Sequence, residues 1–172
     1  MRCPVCPSSM LSPLTLDSGL SSHRCAGCDG VFLLSSEYRA WVAGQTAATP
    51  ERDDPEAAQL AQERIQSKSC PRCRHLMQRY RISLVIPFAL DHCGRCNSVW
   101  LDAGEWASLK RRNLHDDLHR MVAEPWQRQL HKAARRAQRA ARCAANPAVG
   151  RSRRAAELRR IKAWFRAHSP RR

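Results

Sequence analysis

The chain has 172 residues, with 30 Lys and Arg against 15 Asp and Glu, a net charge of +15 and nine cysteines. Its longest apolar run, Ile82 to Leu90, is interrupted by Ser83 and Pro87 and falls far short of the ~20 residues that span a bilayer, so no membrane-spanning helix is expected. The charge is unevenly placed. Residues 1–106 carry eleven basic and eleven acidic side chains, residues 107–172 nineteen and four, which points to an anionic partner for the C-terminal part: nucleic acid or an acidic membrane surface.

Taken in order, the chain opens on Cys3-Pro-Val-Cys6, followed after eighteen residues by Cys25-Ala-Gly-Cys28. Between them Leu11 to Leu16 reads as a strand with Pro13 at an edge or bulge, and Ser18-Gly19 as a turn. Val31 to Leu34 reads as a short buried strand, and a short helix is predicted from about Ser36 to Val42. Residues 44–54 look like a linker. Asp54 then caps a helix that starts at Pro55 and is predicted to reach about Gln66, read as a weakly docked spacer.

The cysteine device then repeats. Cys70-Pro-Arg-Cys73 and Cys93-Gly-Arg-Cys96 stand nineteen residues apart. Gln78 to Ile86 alternates in part, with Tyr80, Ile82 and Leu84 on one face. Val99-Trp100-Leu101 is a strand, and Asp102-Ala-Gly-Glu105 resembles a capping box before a helix with Trp106 and Leu109 inside. The copies also share Met10 and Met77, each four past its second cysteine, and Glu37 and Glu105, each nine past its last. The offset of 67 to 68 residues marks an internal duplication.

Both spacings fall in the C-x2-C-x15–20-C-x2-C range of structural zinc sites. Zn2+ accepts four thiolates in a tetrahedron, and a CxxC turn aims two sulfurs at one point. Gly94 is expected to ease its turn through a left-handed conformation. The ligands expected are Cys3, Cys6, Cys25 and Cys28 for one ion and Cys70, Cys73, Cys93 and Cys96 for the second, two Zn2+ in all. About forty residues per copy is near the size at which a chain needs such a staple to fold. No export signal leads the sequence, so a cytoplasmic location with reduced thiols is expected, and metal binding rather than disulfides. Arg2, Arg24, Arg72, Arg74, Arg95 and His92 flank the ligands and would offset the formal −2 charge of each centre.

The run Cys-Pro-x-Cys, Cys-x-x-Cys and Val99-Trp100-Leu101-Asp102-Ala103-Gly104-Glu105 resembles the transcription factor IIB-type zinc ribbon of many small bacterial proteins, over residues 1–41 and 69–109. The second copy is the closer, with Ser98 where Gly is usual; in the first, Phe32 and Leu34 stand for Trp and Asp. The resemblance implies zinc binding, and more loosely contact with polymerase or nucleic acid.

The fold expected is a small metal-stapled α+β protein: ribbons at 1–43 and 69–110, a linker with a short helix at 44–68, and a basic helical tail at 111–172. In the tail Leu118, Val122, Trp126 and Leu130 recur every fourth residue, with Pro125 kinking one helix or beginning a second. Gln127 to Ala145 is rich in Ala, Arg and Gln, all strong helix formers. Asn146-Pro147 and Gly150 break it, and Ser152 is placed to cap a last helix with Leu158, Ile161 and Phe165 on one side.

Arg128, Lys132, Arg135, Arg136, Arg139, Arg142, Arg153, Arg154, Arg159 and Arg160 are the candidate nucleic-acid contacts, to RNA or DNA backbone without strong sequence choice. Two other readings are weighed. One is an adaptor docking on RNA polymerase or the ribosome, which exposed Trp100 and Trp106 would favour. The other is peripheral membrane binding by basic amphipathic helices. No catalytic constellation is visible, and four protein ligands leave zinc no open position for a reacting water, so no enzyme is expected. Glu105 reads as a cap, His115 and His119 as a solvated helix face, and Cys143 as a passive thiol.

Overall fold

The computed structural model describes residues 1–16, 19–45 and 50–145. The first copy forms strands β1 (Leu11–Thr15), β2 (Ser21–Cys25) and β3 (Val31–Leu33) and helix α1 (Ser35–Ala43). A 3-10 helix covers Pro55–Leu60. The second copy forms β4 (Gln78–Arg81), β5 (Ala89–His92), β6 (Val99–Leu101) and α2 (Glu105–Arg111). Helices α3 (Leu118–Met121) and α4 (Glu124–Ala145) follow.

The two ribbons are not separate beads. All six strands join one antiparallel sheet in the order β1-β2-β3-β6-β5-β4, through pairing of β3 with β6. The register there is Val31 with Leu101, Phe32 with Trp100 and Leu33 with Val99. Because 31, 32 and 33 are the copies of 99, 100 and 101, this register maps onto itself when the copies are exchanged. The duplication is therefore expressed as an approximate two-fold axis between Phe32 and Trp100.

Alternation along these short strands divides the core. Val31, Leu33, Val99 and Leu101 face the helices and pack with Tyr38, Trp41, Trp106, Leu109, Leu118 and Met121. Phe32 and Trp100 face the other way and pack with the cysteines, Leu11 and Met77. Trp100 is fully buried and needs room: a Cβ on Gly30 would sit 2.1 Å from its Cζ2. By the two-fold, the residue placed against the smaller Phe32 is Ser98. The two departures from the usual ribbon pattern in this region, Phe32 and Ser98, thus answer one another.

The spacer helix is shorter and tighter than predicted. Asp54 caps it as expected, its Oδ1 accepting from Glu56 N and Ala57 N, both at 3.1 Å. The helix stops at Leu60 because the next backbone donors are drawn to the second ribbon. Gln62 N donates to Ala103 O at 2.8 Å and Arg64 N to Asp102 Oδ2 at 2.7 Å. Further back, Arg112 N–H groups reach Asp53 and Glu51, Arg111 pairs with Asp54 and Glu56, and Asn113 Nδ2 donates to Pro50 O. Residues 50–68 are a strap fastened along the second ribbon, not a weakly docked spacer.

The predicted capping box is half formed. Glu105 Oε2 accepts from Asp102 N at 2.8 Å, but the Asp102 carboxylate turns away to Trp100 Nε1, Arg64 N and Lys68 Nζ. The helix therefore begins at Glu105, after Gly104 at φ +77°. A Cβ on Gly104 would lie 1.7 Å from Leu60 O, so strap and helix start demand glycine together. The strand at 78–86 also ends early, at Arg81. Ile82 is buried, whereas Leu84, expected on the same face, is exposed.

Residues 1–130 form a compact unit. Leu114, Leu118 and Met121 are buried in its core, with Val122 and Trp126 packed against it, so residues 111–130 build the globular part as well as leading into the tail. Trp126 Nε1 donates to Ile82 O at 2.9 Å, and Pro125 sits in the first turn of α4, where its missing N–H is harmless. From His131 to Ala145 the described chain is the remainder of α4. The last predicted helix, with Ser152, Leu158, Ile161 and Phe165, lies outside the described residues.

Candidate metal centres and the basic helix

Each ribbon brings its four sulfurs to within 4.8 Å of one another. Cys3 and Cys28 Sγ are 3.6 Å apart, Cys70 and Cys96 3.5 Å, Cys73 and Cys93 3.4 Å, and Cys73 and Cys96 3.8 Å. A tetrahedron with Zn–S bonds of 2.3 Å has sulfur–sulfur edges of about 3.8 Å. A disulfide would need about 2.05 Å, and all eight cysteines are free thiols. The donor set fits zinc in chemistry and size.

The electrostatics fit as well. Burial pushes the Cys3, Cys28, Cys70 and Cys93 thiols up. Burial opposes ionisation of Cys25 too, but the Gly27 and Cys28 N–H groups and its neighbouring thiols bring it down to about 7. Cys96 likewise falls to about 7 against burial, through Ser98 and its neighbouring thiols. One thiol per quartet ionises readily, and four thiolates so close together require a divalent cation.

The backbone that aims the sulfurs differs from expectation. Three knuckles are closed by a left-handed residue after the second cysteine: Asp29 at φ 57°, Arg74 at φ 63° and Asn97 at φ 56°. Their N–H groups donate to Cys25 O, Cys70 O and Cys93 O. Gly94 is not left-handed, so the freedom assigned to it is unused. Asp and Asn at that position were the available signal, being tolerant of this conformation. The first knuckle is one residue longer: Cys3 N donates to Ser9 O, whereas Cys70 N donates to His75 O. The structural equivalent of Met10 is therefore Leu76, both exposed, and that of Met77 is Leu11, both buried.

Of the cations beside the ligands, Arg24 is committed to Asp29 at 2.8 Å, and Arg2 reaches Pro7 O at 3.4 Å. His92 is buried against the Tyr80 ring, and burial holds its pKa down. Arg72, Arg74 and Arg95 are exposed.

Behind the second centre lies a charged layer that sequence reasoning missed. Lys68 is 1% exposed, and its Nζ donates to Asp91 Oδ2 at 2.7 Å, Asp102 Oδ2 at 3.0 Å and Arg64 O at 2.8 Å. Glu105 is equally buried. Burial, with the Asp102 and Asp91 charges, pushes its carboxyl up to about 8 despite the Asp102 N–H. It acts as a helix-start side chain, as expected.

The family described as transcription factor zinc-finger matches residues 2–44 and 69–112, together just over half of the chain. The chain belongs to this zinc-ribbon family. No curated protein and no solved structure matches it. The family and the closed donor sets fit a structural, non-catalytic zinc domain.

His115 and His119 do not share a solvated helix face, since α3 begins only at Leu118. Both rings join an aromatic cluster: His115 lies 5.7 Å from Trp41 and from Trp106, and His119 lies edge-on to Tyr38 at 5.0 Å. Trp100 and Trp106 are buried, which removes the handle an adaptor would use there. Cys143 is exposed on α4.

On α4, Arg128 is paired with Glu124 at 2.8 Å. Lys132, Arg135, Arg139 and Arg142 recur at intervals of three and four and so share one face, with Arg136 a turn to the side; all five are exposed. Ala133, Ala137, Ala140 and Ala144 follow the same intervals on the opposite face. The cations are thus one-sided. Arg153, Arg154, Arg159 and Arg160 lie outside the described residues. No helix among the described residues is long and apolar enough to cross a membrane.

Proposed function

We propose that this is a cytoplasmic zinc-ribbon protein that binds nucleic acid, RNA or DNA, through α4 and the basic segment after it, in a transcription- or translation-related role. The observation that carries the reading is the exposed cation face of Lys132, Arg135, Arg136, Arg139 and Arg142, with no carboxylate between Pro125 and Ala145. Such a face neutralises phosphates and releases counterions, giving affinity that depends on salt more than on sequence. The opposite face is mostly alanine. It favours a stable helix but offers little apolar area to a lipid interface, which counts against the membrane reading.

The test is the binding of the zinc-loaded chain to an oligonucleotide across a salt series. Changing those five residues to Gln is expected to flatten the log–log slope by about 3.5 for a single strand or about 4.5 for a duplex. An unchanged slope would remove α4 as the contact. A second reading, docking on RNA polymerase or the ribosome, is supported by the equivalent exposed knuckle residues Met10 and Leu76, both 61% exposed. Retention of a protein partner after nuclease treatment, lost in the Met10→Ser, Leu76→Ser variant, would favour it.

A further inference from the structure

Beside the second metal centre's last knuckle, an open pocket of about 240 Å3 is lined by Ser35, Arg39, Asn97 and His119. Three stretches meet there: the first residues of α1, the residue after Cys96, and α3. Among the described residues no carboxylate lines it. Among the described residues, the side chains of Ser35, Arg39 and Asn97 make no hydrogen bond or ion pair. His119 Nε2 is buried with no hydrogen-bond partner, while its ring is held edge-on by Tyr38. The nine-residue α1 adds to this, since Leu34 gives its first turn no capping side chain. One guanidinium and three polar side chains therefore converge without internal partners, an arrangement suited to an anion with several oxygens.

A second open pocket, about 340 Å3, shares Arg39 and His119 and adds Tyr38, Val42 and Ala43 together with Asp116, Asp117 and Arg120, the last pairing with Asp117 at 3.3 Å. A ligand with its anionic group in the first cavity would extend into a space with an apolar wall and hydrogen-bond acceptors. The internal duplication does not repeat these side chains. The counterparts of Ser35, Arg39 and Asn97 are Ala103, Ala107 and Asp29, and Asp29 is already paired with Arg24.

We propose that Ser35, Arg39, Asn97 and His119 form a phosphate site for a nucleotide, whose sugar and base lie in the neighbouring cavity. The phosphate belongs to a free nucleotide or to a nucleic-acid strand. This assignment does not depend on α4.

The test is an NMR titration of the zinc-loaded full chain with inorganic phosphate, a nucleoside monophosphate, and a tetranucleotide without terminal phosphate. The monophosphate is expected to shift the Ser35–Glu37 amides and the Asn97 side-chain amide saturably. Inorganic phosphate should shift the same signals at least about ten-fold more weakly, for want of contacts in the second cavity. Arg39→Gln, at an exposed position, should weaken both at least about ten-fold with zinc content unchanged. Asn97→Gly, which keeps the left-handed turn, should weaken both as well. Tetranucleotide shifts at the same signals would assign the site to a strand, and their absence to a free nucleotide. The proposal is overturned if neither phosphate compound saturates these signals, or if Arg39→Gln binds like the parent. Equal affinity for phosphate and monophosphate would overturn the nucleoside half. Tetranucleotide shifts on α4 with no saturable shift at these signals from either phosphate compound would leave the α4 reading standing while refuting this one.

Discussion

The two ribbons use the same sulfur frame and back it differently. Behind the second centre stand Lys68, Asp91 and Asp102, buried and mutually bonded. The corresponding positions in the first copy are Met1, His23 and Leu34, and Met1 and Leu34 pack against the cysteine cluster as apolar groups. Glu105 is buried, whereas its counterpart Glu37 is exposed. Gly104 is left-handed against the strap, whereas Ser36 lies inside α1. The difference is explained by the strap. Asp102 is the acceptor that fastens Arg64 N and Lys68, so the ionic layer holds a crossing segment in register. A buried ion pair is seldom the most stable filling for such a space, and register is its best-attested use.

That comparison can be broken in stages. The largest effect is expected from the metal frame, since structural zinc supplies on the order of 10–16 kcal/mol of apparent binding energy. Cys70→Ser with Cys73→Ser should release one ion and unfold the second ribbon with its strap, seen as loss of amide-exchange protection across 50–112. Retained protection there would show that the ionic layer suffices alone.

Next is Asp102→Leu, which copies the first ribbon into the second. It leaves Lys68 half-paired and Arg64 N without its acceptor, and should cost about 3–5 kcal/mol by chemical denaturation. Adding Lys68→Met and Asp91→His should recover part of the loss, because no buried charge is then stranded. A fully additive triple variant would refute the coupling.

Gly30→Ala should cost about 1–3 kcal/mol or more by overpacking against Trp100, and far less in a Trp100→Phe background, where the ring is smaller. Equal costs in both backgrounds would contradict the reciprocal packing across the two-fold.

The smallest effect is a pH dependence. Glu105 has a raised pKa, about 8 when folded against 4.5 unfolded. The folded state then binds the extra proton between these values, so this contribution is fully present below the unfolded pKa and is lost as pH rises toward 8. Zinc binding to thiolates runs in the opposite sense, so the difference from Glu105→Gln is what should be read. The parent should lose on the order of 1–3 kcal/mol relative to that variant between pH 5.5 and 8.5. No difference would mean Glu105 is ionised throughout.

Much of this was legible in the chain. Eight cysteines at regular spacing determine the knuckles, and β1, β3 and β6 fall where the patterns put them. What sequence did not reveal was long-range pairing. Nothing local in Val31-Phe32-Leu33 says that its partner is Val99-Trp100-Leu101. The strap was misread because Asp54 and Pro55 are sound helix-start signals, while the acceptors that end the helix, Ala103 O and Asp102, lie some forty residues away. The helix carrying the cations was legible in its Ala, Arg and Gln content, whereas the gathering of those cations on one face of α4 was described only by the structure. The cavity at Arg39 was not legible, because it needs α1, the residue after Cys96 and α3 side by side.

The account rests on two divalent ions, each held by four thiolates. Native mass spectrometry of the intact chain measures this directly. It should show a folded charge distribution carrying two zinc ions, falling to one when Cys70 and Cys73 are replaced by Ser. A folded, metal-free chain, or a parent with a single ion, would contradict it.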